Sequence, residues 1–169
     1  MSPIEQAMLR VIEETFESLA FMFPVESDHD ASMAGEEPME QAIVDFTGPF
    51  PGRVCLSASP RMLEPLAANM LGLEDGTRPT DEQKQDAFKE LLNVICGNLL
   101  PQIASPIDVF NVEEPRSFGR STPPVPPPSL KLAGSVESNL DGGRVRLSVL
   151  IESHCLPGVM AIAAKGAQA

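Results

Sequence analysis

The 169-residue chain is poor in the groups that metal and redox chemistry require. Its two histidines, His29 and His154, each lack a second nitrogen or thiolate ligand at metal-binding spacing. Cys55, Cys96 and Cys155 are odd in number and far apart, with no C-x-x-C pair, which predicts reduced thiols rather than a disulfide framework. Asp28-His29-Asp30 sets one histidine between two acids, and it reads as a solvated loop rather than a cation site. No metal or cofactor of the protein's own is therefore expected. No apolar run approaches the roughly 18 residues of a membrane span, and MSPIEQAMLR lacks the apolar core of a secretory leader. The expectation is a soluble, cytoplasmic protein with no membrane partner. Cations are scarce too: 12 Lys and Arg face 24 Asp and Glu, and the net charge of −12 argues against nucleic acid as a partner. Neither a Gly-rich phosphate loop nor a strand–helix–strand alternation is present.

With 43% hydrophobic residues over this length, the chain can bury a core and reads as one domain spanning residues 1–169. Ser2, Pro3 and Glu5 form a capping-box start, and Ile4, Met8, Val11, Thr15, Leu19 and Met22 continue at helical spacing to about Phe23. A polar, acidic connection near residues 25–40 follows. Alternation of Ala42, Val44 and Phe46, then of Val54 and Leu56, predicts two strands joined by a long loop. Ser59-Pro60 starts a short helix that ends at Gly72, with Pro65 expected to kink or delay it. Asp108–Glu113, the run from Leu130 to Val136, and Val145–Ile151 read as strands, with Asn139–Gly143 as the turn between the last two. Residues 114–129 read as a loop, stiffened by Pro123-Pro124-Val125-Pro126-Pro127-Pro128. His154 to Ala169 is weakly patterned, with a frayed end expected. The fold class is α+β: two long helices and a short one on a largely antiparallel sheet.

The second long helix carries the chemistry. Thr80 and Gln83 form its capping box, and Phe88, Leu91, Leu92, Ile95, Leu99 and Ile103 define one apolar face. Asp86, Glu90, Asn93 and Gly97 follow in steps of four, three and four. At about 100° per residue they share a stripe roughly 60° wide on the opposite side. Pro101 cannot donate to the carbonyl of Gly97, so the helix should bend or end there, downstream of Glu90 and Asn93. Such a row holds no strong nucleophile and no base near neutral pKa. It offers hydrogen-bonding geometry and charge, which suffice where water is the nucleophile and fixed dipoles carry the charge.

Asp86-x-x-x-Glu90-x-x-Asn93-x-x-x-Gly97 resembles the signature of the CheC/CheX/FliY family of chemotaxis phosphatases, in which Asp or Ser is followed by Glu, Asn and Gly. The resemblance implies a sheet carrying the first and motif helices side by side. It also implies an enzyme that hydrolyses the aspartyl-phosphate of a CheY-type response-regulator receiver domain, the receiver bringing its own Mg²⁺. By the same resemblance Asn93 would hold water in line with the P–O bond, and Glu90 would pair with the receiver's lysine. Gly97 would allow close approach and Asp86 would aid docking. Some family members repeat the motif on the first helix. Here the nearest register is Glu17-Ser18-Leu19-Ala20, with alanine in place of asparagine, which favours a CheX-like, single-site protein. A homodimer is implied as well, with Arg144–Ile151 as the edge strand. The alternatives are a non-catalytic receiver-binding or flagellar-switch adaptor, and a purely structural interaction domain.

Overall fold

A computed structural model describes residues 1–26 and 37–168; the Asp28-His29-Asp30 triplet lies outside them. Both long helices begin where local chemistry says they should. Helix α1 (Pro3–Ala20) opens with Glu5 N–H donating to Ser2 Oγ at 3.3 Å and Ser2 N–H donating to the Glu5 carboxylate at 2.9 Å. At its other end Phe21 takes a left-handed conformation (φ 53°), which stops the helix short of the expected Phe23. Ala20, its last residue, is fully buried, and its carbonyl accepts from Asn69 Nδ2 at 2.6 Å.

Strands β1 (Glu40–Thr47) and β2 (Gly52–Ala58) form the expected antiparallel pair. After a 3-10 turn over Pro60–Met62 comes α2 (Leu63–Leu71). Pro65 delays this helix without breaking it, because it stands in the first turn, where backbone N–H groups have no intrahelical acceptor. Helix α3 (Asp81–Ile103) is capped reciprocally by Thr80 and Gln83, at 2.9 and 3.1 Å, and continues through Pro101. Gly97, whose carbonyl loses a donor there, is exposed, so water can take its place.

The rest of the chain completes the sheet and adds a helix: β3 (Asn111–Val112), β4 (Arg116–Gly119), β5 (Leu130–Leu140), β6 (Gly143–Glu152) and α4 (Leu156–Gly166). The sheet order is β3-β1-β2-β6-β5, with β4 joining β3 along the same edge of β1, and every pairing is antiparallel. The fold is α+β, as expected, with four helices. Ala42, Val44, Phe46, Val54, Leu56, Val145, Leu147 and Val149 point from one sheet face into a single core with the buried sides of α1, α2 and α3. Helix α1 lies close over β5: a Cβ on Gly134 would meet Glu5 Cγ at 3.0 Å and Met8 Sδ at 3.1 Å.

Four expectations require correction. Arg144–Ile151 is not an edge: β6 sits between β2 and β5, because a two-residue turn at Asp141-Gly142 folds β5 back on one side while β2 takes the other. Among the described residues the outermost strand on that side is β5, whose end is bridged by Pro24 to Leu140, with Val25 N–H donating to the Asn139 carbonyl at 3.0 Å. The strand expected over Asp108–Glu113 shrinks to Asn111–Val112. Part of the 114–129 loop is strand β4, whose four residues acquire strand character only by pairing with β1. Residues 156–166 of the weakly patterned C-terminus form α4, which anchors itself through Val159 and Ala163, one turn apart and both buried.

Ile95 and Asn93 test the orientation of α3. Ile95 is fully buried and Asn93 is exposed. Ile95→Ala should cost about 2–5 kcal/mol, whereas Asn93→Ala should stay within about 0.5 kcal/mol of wild type. Urea unfolding of both variants measures this. Equal losses would contradict the orientation.

Candidate functional site

The nine buried residues of α3 are Ala87, Phe88, Leu91, Leu92, Ile95, Cys96, Leu99, Leu100 and Ile103. Asp86, Glu90, Asn93 and Gly97 are all exposed, so the helix brings the four sequence-predicted residues together on its solvent side. Lys89 reaches Asp86 at 3.2 Å, an (i, i+3) ion pair open to solvent and therefore weak. Among the described residues no ion pair or side-chain hydrogen bond engages Glu90 or Asn93. Their polar groups are thus free to meet an incoming molecule.

Gly97 is unusual in a different way. It lies inside a 23-residue helix, and a Cβ built on it meets no atom within 4 Å. A glycine in a helix interior costs about 0.5–1 kcal/mol relative to alanine. Among the described residues nothing offsets that cost, since no neighbour needs the space and no left-handed backbone is involved.

The stripe does not stand on open ground. Asp86, Lys89, Glu90 and Asn93 form one side of a shallow groove whose other side is Val112, Glu113, Glu114 and Pro115. That wall is fixed at both ends by β3 and β4, and by Glu113 N–H donating to the Asp45 carbonyl at 2.9 Å. The sequence reading missed these residues. Lys89 could have been found from its helical spacing to Asp86, but residues 112–115 carry no local signal and reach the groove only through sheet pairing.

Neither Cys96 nor Cys55 offers the stripe a nucleophilic thiol. Cys96 adjoins Gly97 in sequence but points into the core, and burial pushes its pKa up to about 12. Cys55 on β2 is raised to about 11, chiefly by burial, with Arg53 pulling the other way. Among the described residues no group of three or more His, Cys, Asp or Glu side chains is placed to hold a metal, and no helix is long and apolar enough to cross a membrane. What the groove offers is a carboxylate, a carboxamide and a gap in the side-chain layer, in line along a rigid helix.

Residues 41–115, which include the whole stripe and the groove wall, match the family model described as chemotaxis phosphatase CheX. No curated protein matches the chain. Among solved structures, the chemotaxis protein CheX from Desulfovibrio desulfuricans aligns with a TM-score of 0.66 at 16% identity, over 88% of this chain and 99% of its own. The CheX–CheY–BeF3–Mg²⁺ complex from Borrelia burgdorferi contains a chain that aligns with a TM-score of 0.56 at 14% identity, over 88% and 97%. FliY from Thermotoga maritima aligns with a TM-score of 0.59 at 15% identity, over 96% and 94%.

The thiols yield a pH prediction. In the folded chain Cys55 and Cys96 stay protonated, whereas unfolding returns them to an ordinary value near 9.0. Because their folded values are raised, the stability linked to them is complete below about pH 9 and is lost as pH rises through about 11 and about 12. Urea melts from pH 7 to pH 11 should therefore show falling midpoints above pH 9, and Cys96 should resist thiol reagents until the chain unfolds. Prompt labelling of Cys96 at pH 8 in the native protein would contradict its burial.

Proposed function

We propose that this CheX-like chain is a phosphatase that hydrolyses the aspartyl-phosphate of a CheY-type response-regulator receiver domain. The family match and the likeness to a CheX bound to CheY support the reaction class. The observation that carries the reading to this surface is Gly97, an exposed helical glycine that costs stability and whose place no other described residue needs. Such a residue makes sense where a second backbone must come close.

The roles are those the resemblance implies, and the chemistry of each side chain suits them. The acyl phosphate and its Mg²⁺ belong to the receiver, so the metal's charge is the substrate's contribution. Asn93 is placed to orient water in line with the scissile P–O bond, its carboxamide offering an acceptor and two donors at once. Glu90, which has no cationic partner in its own chain among the described residues, pairs with a receiver lysine and sets the docking register. Asp86, already held by Lys89, contributes to docking. Carboxamide positioning requires no change of protonation on the phosphatase.

A second reading has one observation in its favour, the shared fold with FliY. A receiver-binding or flagellar-switch adaptor on this scaffold would bind phosphorylated receiver and leave it phosphorylated. A homodimer belongs to either reading, with the outer strand β5, upstream of its bridge to Pro24, rather than Arg144–Ile151 as the strand available for edge pairing.

Michaelis kinetics on a receiver labelled with acetyl phosphate separate these readings. Asn93→Ala should lower turnover by about 10²-fold or more while leaving receiver binding nearly intact. Glu90→Ala should weaken binding, and the difference should shrink at high salt as the ion pair is screened. Wild-type turnover in Asn93→Ala would sink the mechanism. Gly97→Ala has two effects of opposite sign: a gain of about 0.5–1 kcal/mol in stability and a loss of turnover. A stabilised Gly97→Ala protein with unchanged kinetics would remove the main support for this docking face. Sedimentation showing a monomer at tens of micromolar, roughly where a dimer of −8 kcal/mol is already mostly formed, would exclude the homodimer.

A further inference from the structure

The proline run is not absorbed by the phosphatase reading, and its setting is specific. Arg53 on β2 alternates with the core residues Val54 and Leu56, so it points to the sheet face away from the helices. It is 6% exposed. Two of its nitrogens donate to the Asp45 carboxylate at 2.6 and 3.1 Å, and the third donates to the Pro124 carbonyl at 3.0 Å. The segment is tied at both ends as well, by Ser121 N–H to the Phe118 carbonyl and by Leu130 N–H to the Pro127 carbonyl, each at 3.0 Å. Between these ties the chain has no regular hydrogen-bonded structure, and five of the six residues at 123–128 are prolines with φ fixed near −65°.

Pro123 and Pro126, three apart, are half-buried, whereas Pro124, Val125, Pro127 and Pro128 are exposed. That spacing matches the three-residue turn of the polyproline II helix that consecutive prolines favour, with one edge toward the sheet and the other two toward solvent. Val125 is 88% exposed. An apolar ridge is thus held up by a buried guanidinium in a conformation that needs no further ordering to bind.

We propose that this ridge, read through Pro124, Val125 and Pro127, is a docking site for a second protein with an aromatic-lined groove. The chemistry selects that class. Successive prolines present flat apolar rings and carbonyls with no N–H to donate, which is what grooves of the SH3, WW and EVH1 kind receive. Preorganisation lowers the ordering cost of binding. Because the ridge is on the sheet face opposite α3, a partner seated there leaves the Glu90–Asn93 stripe clear.

The test titrates three purified probes, an SH3, a WW and an EVH1 domain, into the ¹⁵N-labelled full chain. At least one probe should shift the amide resonances of Thr122 and Val125 while leaving those of Glu90 and Asn93 in place. The double change Pro124→Ala with Pro127→Ala should weaken that probe by about tenfold or more, and Pro123→Ala, on the sheet-facing edge, should leave the affinity near that of wild type. Matched thermal melts and unchanged amide spectra outside the segment would show that the variants remain folded, independently of whether the phosphatase reading stands. No shift with any probe up to about 1 mM, or equal binding by all variants, would overturn the proposal.

Discussion

The angle at which α3 is rotated about its own axis is the constraint on which the functional surface depends. Phe88, Leu91, Leu92, Ile95 and Leu99 are fully buried against α1, α2 and the sheet. Advancing the helix by a single position would turn it by about 100° and bring part of that apolar face to water. The core therefore aims Glu90, Asn93 and Gly97 outward as a unit, although none of them takes part in the core. Residues that never meet a partner fix what the partner meets.

On the polar face of the sheet, Asp45 has a comparable organising position. Its carboxylate accepts from Arg53 and from Arg116, and its backbone carbonyl accepts from Glu113. One residue of β1 thereby joins the proline segment, strand β4 and the wall of the groove beside α3. The pair with Arg53 is largely withdrawn from solvent on the arginine side, where charge is tolerated only when its hydrogen-bonding capacity is met. Asp45 and Arg53 face each other directly in the β1–β2 register, so sheet pairing itself brings the charges together.

Elements that were legible in the sequence are those whose determinants are local. Both capping boxes, the apolar spacing of α1 and α3, the β5–β6 turn and the order of the exposed stripe follow from residues within a few positions of one another. What was not legible is what pairing decides. Arg116–Gly119 becomes a strand because β1 has an open edge beside it. Arg144–Ile151 alternates as an edge strand would, and alternation does not reveal that both sides are occupied. Helix α4 holds on through two small or branched residues, too sparse a pattern to read as periodic. The stripe could be read because it lies on one helix, and the groove could not because its second wall arrives from 20 residues downstream.

The end of α1 bears on how this chain could change. Ala20 stands where the resemblance would put a second asparagine, but its side chain is enclosed and its carbonyl is taken by Asn69. Writing asparagine there would sink a carboxamide into the core, at the last residue of the helix, with no route to solvent. For a carboxamide at position 20 to face outward, α1 would have to turn on its axis and extend past Phe21. Either movement would give up the buried packing of Ile4, Met8, Ile12 and Phe16, so the core side of α1 itself opposes an exposed carboxamide at this position.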